Sequence, residues 1–92
     1  MPYIDQDSRD GFVNPRGEDI LRELGDKIEN CGELNYVVTV LCHQYLKNKG
    51  LRYQNINDIV GALEGCKLEL YRRVASNYED EKIILNGDVK EI

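Results

Sequence analysis

The chain has 92 residues, of which 32% are charged, and its formal net charge at pH 7 is −5. This length fits one domain, 1–92, and the acidity argues against direct binding to nucleic acid or to anionic membranes. The three cysteines lack CxxC spacing, which fits reduced thiols better than a disulfide framework.

The start of the chain bears on where the protein works. The opening MPYIDQDSRD has neither a basic segment nor an apolar run, and no apolar stretch reaches the length of a membrane span. We therefore expect a cytoplasmic protein that does not insert into membranes. A domain this small buries only about 60–65% of its unfolded surface, so a homo-oligomer is expected.

The first third of the sequence predicts an arm followed by a helix. Residues 1–13 show no sustained period and are expected to form an extended arm that docks on the body or on a neighbouring subunit. Asn14 and Pro15 resemble a helix start, because asparagine caps free amides and proline is tolerated in the first turn. This first helix is predicted to run to Cys31 and to stop at Gly32.

A second helix is predicted from Glu33 to Lys49, ending at Gly50. One apolar face of this helix is expected to pack in the core, and a second face lies on the opposite side. That second face carries Tyr36, Val40, His43 and Lys47. The valine-rich segment 37–40 lowers helix propensity and leaves a strand as the alternative, but the period favours a helix.

The third predicted helix, Asn55–Tyr78, is the centre of the fold, with Asn55 and Asp58 resembling a capping box. Its apolar face has the i, i+3, i+4, i+7 recurrence of a core helix. That face comprises Ile56, Ile59, Val60, Leu63, Leu70, Tyr71, Val74 and Tyr78. Lys67 falls within the same face, where its charge requires a carboxylate partner or an outward path to solvent.

A second face of this helix carries small residues. Gly61, Gly65, Leu68 and Ala75 leave little side chain on that side, so another helix could approach closely. Two helical glycines each cost about 1 kcal/mol relative to alanine. A subunit interface is expected there, formed by Gly61, Gly65 and Leu68 with Val40 of the second helix.

The last segment, residues 79–92, is predicted as a β-hairpin or an extended tail. Asn86-Gly87 lies between two short apolar-bearing runs, as in a type I′ turn. The alternative continues the third helix to Leu85 and uses Asn-Gly as its C-cap. The predicted fold class is therefore all-α, a three-helix domain with a short C-terminal hairpin or tail.

Catalytic and metal-binding patterns are weak. Cys42 and His43 are adjacent and point about 100° apart on a helix, and the cysteine spacings match no zinc motif. Carboxylates on helices can bind magnesium, and the candidates here are Glu29, Glu33, Glu64 and Glu69. They lack the EExxE and ExxD blocks of helical nucleotide pyrophosphohydrolases. No metal, no cofactor and no catalytic residue is predicted.

The most suggestive cluster is cationic and aromatic. Lys67, Tyr71, Arg72 and Arg73, with Tyr36, His43 and Lys47 across from them, could bind a nucleotide-like anion, because guanidinium groups grip phosphate oxygens and tyrosine rings stack on bases. The alternative interpretation pairs Arg72 and Arg73 with Glu69, Glu79, Asp80 or a neighbouring subunit's acids.

Several stretches resemble a family of small proteins of unknown function from bacteriophages, prophages and bacteria. They are MPYI (1–4), GELNYVVT (32–39), INDIVGALEGCKLELYRR (56–73), YEDEKI (78–83) and NGDV (86–89). The resemblance implies a phage or mobile-element setting in the host cytoplasm, and an acidic tail that belongs to the folded unit. It implies no activity, ligand or catalytic residue.

Three functions follow from these observations as hypotheses. The first is a small, oligomeric, non-enzymatic phage-type accessory protein that binds a host-derived, nucleotide-like anion at or near a subunit interface. The second is an acidic inhibitor or adaptor that binds a host protein. The third is a magnesium-dependent nucleotide pyrophosphohydrolase.

Overall fold

A computed structural model describes residues 3–89, and 75% of these residues are helical, with no strand among them. The prediction of an all-α protein is therefore confirmed. The helices are α1 (Gln6–Asp10), α2 (Ile20–Asp26), α3 (Cys31–Lys49), α4 (Tyr53–Leu70), a π-helical segment (Tyr71–Ala75) and α5 (Ser76–Asn86).

The chain divides into two units, Tyr3–Ile59 and a second whose described part is residues 60–89. None of the described residues is fully buried in either unit. Among α1, α2 and α3, no pair brings Cα atoms within 8 Å of each other. The apolar side chains of these helices are therefore exposed or only half-buried, and a single domain over 1–92 stays a prediction.

The segment before α2 differs from the predicted arm and first helix. Asp5 caps the short helix α1, accepting from the amide of Ser8 at 2.8 Å, so residues 6–10 are helical and not extended. Asn14 caps a turn and not a helix: its Oδ1 accepts from the amides of Arg16 and Glu18, both at 3.0 Å. Gly17, with φ of 82°, ends that turn, which is why no helix starts at Asn14.

The helix predicted from Asn14 to Cys31 is therefore shorter and begins later. The carboxylate of Asp19 accepts from the amides of Leu21 and Arg22, at 3.1 and 3.2 Å, and starts α2. The amide of Ile20 donates to the carbonyl of Phe12, which ties the two ends of the 12–20 segment together. Gly32 does not stop a helix as predicted, because it lies in the first turn of α3.

The second predicted helix is confirmed as α3, with its start two residues earlier. Asn30 is the N-cap and accepts from the amide of Glu33 at 2.9 Å, while the carboxylate of Glu33 accepts from the amide of Glu29 at 2.9 Å. This reciprocal pattern is a variant of the capping box. Gly50, with φ of 106°, ends the helix, as the sequence predicts.

Asn55 does not cap the start of a helix as predicted, and instead binds backbone carbonyls at the end of α3. Its Nδ2 donates to the carbonyls of Gly50 and Lys49, at 2.8 and 3.3 Å, and so satisfies acceptors at the end of α3. Asp58 accepts from Gln54 within α4 and does not complete a capping box. The connection between α3 and α4 is therefore held by one asparagine side chain.

The predicted C-terminal hairpin is wrong, and the alternative helix continuation is confirmed. Leu70, Ala75 and Ser76 all have right-handed helical backbone, so α4 continues through the π-helical segment into α5. The helix ends at Asn86, where Gly87, with φ of 86°, donates its amide to the carbonyl of Ile83 at 2.8 Å. The positive φ that Asn-Gly offers a hairpin serves equally well to end a helix.

Candidate functional site

The cationic residues predicted to bind an anion lie along one helical stretch, and each has a carboxylate partner there. Arg72 and Arg73 both contact Glu69, with N–O distances of 2.9 and 3.1 Å. The Lys67 ammonium lies 3.4 Å from Glu64, and its side chain is 69% exposed. Lys67 therefore avoids a buried charge by pairing and by reaching solvent, and the pairing of the arginines with Glu69 is the arrangement the alternative interpretation predicted.

The π-helical segment changes which side chains share a face around Tyr71. The Tyr71 hydroxyl donates to Glu79 at 3.5 Å, although the two residues are eight apart. Eight residues of an ordinary helix advance about 80° beyond two full turns. One extra residue absorbed in a π-type turn removes that offset, so Tyr71 and Glu79 come onto one side.

A cation lies over an aromatic ring one turn further on. The Lys82 ammonium lies 5.4 Å from the centroid of the Tyr78 ring, within the range of cation–π attraction. The side chain of Tyr78 nevertheless remains exposed. Tyr78 is therefore shielded on one side by the lysine and open to a partner on the other.

The remaining predicted ligand residues, Tyr36 and His43, lie on α3 in the unit formed by Tyr3–Ile59. Tyr36 is 70% exposed. His43 lines an open depression of about 530 Å³ whose other walls are Leu46, Lys47, Gly50 and Leu51. The structure thus brings His43 and Lys47 together on α3, and Lys67, Tyr71, Arg72 and Arg73 together in the second unit.

The predicted interface residues are open to solvent. A Cβ added at Gly61 or at Gly65 would meet no heavy atom within 4 Å. Leu68 on the same face and Val40 on α3 are also exposed. Nothing in the described chain covers this glycine face, and its role as an interface stays a prediction.

The carboxylates weighed for magnesium have local structural roles. Glu33 caps α3, Glu64 pairs with Lys67, and Glu69 pairs with both arginines. Within residues 3–89, no three His, Cys, Asp or Glu side chains lie close enough together to hold a metal ion. Cys31, Cys42 and Cys66 are free thiols.

The apolar face that the sequence predicts for the third helix continues further than expected, as a stripe that runs through the π-helical segment to the end of α5. Its members are Leu63, Leu70, Val74, Tyr78 and Leu85, and their exposed fractions run from 43% to 74%. The sequence predicts that the third helix ends at Tyr78, so Leu85 falls in the predicted hairpin or tail and not on this stripe. The spacing of seven, eight and seven residues between Leu63, Leu70, Tyr78 and Leu85 is the signal that could have found it.

These features define an all-helical protein that presents apolar stripes and internally paired charges on exposed helix faces. The chain belongs to the family described as Domain of unknown function (DUF6899), which it matches over residues 1–89. No curated protein and no solved structure matches the chain. Among the described residues, no helix has both the length and the apolar character required to cross a membrane.

Proposed function

We propose that this protein is a non-enzymatic adaptor that works by binding other protein chains through its exposed helix faces. The observation that carries the proposal is the exposure of large apolar side chains along the unit of residues 60–89, from Leu63 to Leu85. Contiguous exposed apolar surface of this kind marks interaction sites in proteins. The second hypothesis from the sequence, an acidic protein-binding adaptor, is the one this exposure favours.

The charge pattern around the stripe suits a protein partner that brings basic side chains to the acidic turn of α5. Glu79, Asp80 and Glu81 are consecutive and exposed on α5. Arg72 and Arg73, which precede them, already pair with Glu69. The acidic turn formed by residues 79–81 therefore has less of its charge neutralised by neighbouring side chains than the two arginines have. Such charges at the rim of an apolar stripe would steer association and select the partner.

The setting we propose is the cytoplasm of a bacterial host, with the gene carried by a phage or other mobile element. This proposal rests on the resemblance of the MPYI, GELNY, LELYRR and NGDV stretches to phage and prophage proteins. A small adaptor that binds a host component fits that setting.

Site-specific photo-crosslinking tests the binding function. A photoreactive amino acid replaces Leu85, which is on the stripe and 74% exposed, or Leu51, which is 81% exposed in the turn after α3. We expect a discrete crosslinked protein product in bacterial cells from position 85 and little or none from position 51. Equal crosslinking at the two positions, or none at position 85, would contradict the proposal.

A second candidate is binding of a nucleotide-like anion by Lys67, Tyr71, Arg72 and Arg73. One observation favours it: three of these residues lie in the π-helical segment, and such segments are frequent at functional sites. The ligand would have to compete with Glu69 for both guanidinium groups.

Native mass spectrometry of protein purified without dialysis tests this second candidate. Anion binding predicts a reproducible extra mass that leaves on denaturation and is lost when Arg72 and Arg73 are both replaced by alanine. The control replaces Arg16 and Arg22, which pair with Glu18 and Asp19 in the other unit. A clean mass without ligand would exclude a tightly bound anion.

A further inference from the structure

The apolar stripe of the second unit is arranged as a palindrome about Val74. Leu70 and Tyr78 lie four residues before and after Val74, and Leu63 and Leu85 lie eleven residues before and after it. A stripe that reads the same in both directions can face a second copy of itself in the antiparallel sense. In such a pair Val74 meets Val74, Leu70 meets Tyr78, and Leu63 meets Leu85 of the other copy.

The π-helical segment brings the spacing of this stripe close to a heptad repeat. Seven residues bring an ordinary helix to within about 20° of two full turns, whereas eight residues overshoot by about 80°. The one interval of eight, Leu70 to Tyr78, spans the π-helical segment at Tyr71–Ala75. Because that segment absorbs one residue, all three intervals behave as heptads, and the stripe extends about 33 Å from Leu63 to Leu85.

The charges beside the stripe favour the antiparallel direction. Lys67 lies seven residues before Val74 and Glu81 lies seven residues after it, so antiparallel pairing places opposite charges together twice. Parallel pairing in register would place Lys67 against Lys67 and Glu81 against Glu81. Glu69 and Glu79 also face each other in the antiparallel arrangement, but Arg72 and Arg73 compensate Glu69.

We infer that two copies of this chain pair antiparallel along residues 63–85, with their two-fold axis at Val74. The inference rests on the proposed function and names the partner of the stripe as a second copy. Isolated helices are marginal in water, so burying five apolar side chains per copy would also stabilise this helical stretch. This interface lies on a different face from Gly61 and Gly65.

Disulfide trapping tests the register and the direction together. In a background with Cys31, Cys42 and Cys66 replaced by serine, Val74→Cys should form a disulfide-linked dimer under mild oxidation. Asp80→Cys is the matched control, because Asp80 is exposed and lies on the opposite side of the helix from the stripe. We expect at least about tenfold faster dimer formation at position 74, since pairing raises the local thiol concentration.

The direction is read from a mixture of Leu70→Cys and Tyr78→Cys chains made in the same background. Antiparallel pairing predicts mixed 70–78 disulfides in excess over 70–70 and 78–78 products. Equal trapping at positions 74 and 80, or an excess of 70–70 products, would overturn the inference. If that failure is accompanied by crosslinking of a different protein at Leu85, the adaptor function survives without self-pairing.

A charge exchange provides a test without oxidation. Lys67→Glu places two acidic residues together at each end of the pair and should weaken dimerisation about fivefold to tenfold. Combining it with Glu81→Lys should restore the affinity. The single variants Lys67→Glu and Glu81→Lys each give a loss of affinity. If the double variant loses as much as the sum of these two losses, the pairing of the two residues is overturned.

Discussion

Residues 3–59 and residues 60–89 are both helical, but different interactions hold them. The first unit is a series of segments joined by polar side chains that bind backbone groups, namely Asp5, Asn14, Asp19, Asn30 and Asn55. In the second unit the helix continues without a break from α4 through the π-helical segment into α5, so no helix start within it requires a cap. Its regular feature is an apolar stripe that remains exposed.

Local capping is sufficient to define where helices start and end, but it is not sufficient to stabilise a long helix. Each cap contributes about 1 kcal/mol, while helix formation carries a costly nucleation step. On the antiparallel pairing that we infer, the second unit is stabilised by burial of its stripe, whereas the first unit is stabilised by its caps.

The largest effect is expected from a charge placed on the stripe. Leu70→Asp would bury an unpaired carboxylate twice in the antiparallel pair, and we expect the dissociation constant to rise about a hundredfold or more. Leu68→Asp is the control, because Leu68 has similar exposure but lies on the glycine face. Sedimentation velocity measures both. A larger loss for Leu68→Asp would assign the interface to Gly61, Gly65 and Leu68 instead.

A smaller loss is expected from removing a cap in the first unit. Asn30→Ala removes the acceptor for the Glu33 amide and should lower the free energy of unfolding by about 1 kcal/mol without changing dimerisation. Urea denaturation at one fixed protein concentration measures the change. Asn48→Ala, within α3, removes only a solvent-exposed hydrogen bond from Gln44 and should cost much less. Equal losses for the two variants would contradict the role of Asn30 as the cap.

The charge pairs of the second unit are expected to matter little for stability. Glu69→Gln removes the partner of Arg72 and Arg73, whose side chains are largely exposed, and should cost roughly 0.5 kcal/mol. The difference from the unaltered protein should shrink in high salt, because ions screen exposed charges. A gain in anion binding by Glu69→Gln, seen by native mass spectrometry, would instead favour the ligand-binding candidate.

The smallest effect concerns pH at the start of α1. The hydrogen bond from the Ser8 amide, and then that from the Ser8 side chain, lower the pKa of Asp5 below its ordinary value of 3.8. A lowered pKa means that this cap is fully present above pH 3.8 and is lost as the pH falls through the folded value. The amide NMR shift of Ser8 should titrate with a midpoint below 3.8, and Asp5→Asn should abolish that titration.

The sequence was sufficient for the helix class, for α3 and for the end of that helix at Gly50. It failed where one residue type serves two kinds of structure. Asn14 caps a turn instead of a helix, and Asn-Gly at 86–87 ends a helix instead of turning a hairpin. In both places a glycine with positive φ follows, and the sequence does not show which structure that glycine ends.

For the candidate site, the sequence correctly placed the arginines with Glu69 as one alternative, because residues three and four apart meet on a helix. It could not place Tyr71 against Glu79, since an ordinary helical period puts residues eight apart on different faces. The π-helical segment has no compositional signature in YRRVA. The stripe beyond Tyr78 was not found for a different reason, because the third helix is predicted to end at that residue.

We infer that a second copy of the chain covers the stripe. Sedimentation equilibrium over a range of concentrations, with helix content followed by circular dichroism, tests it most directly. We expect the mass to rise from 10.6 kDa to twice that value as the protein concentration increases, with the helix content rising in parallel. A mass that stays at 10.6 kDa while the helix content is constant at every concentration would contradict it.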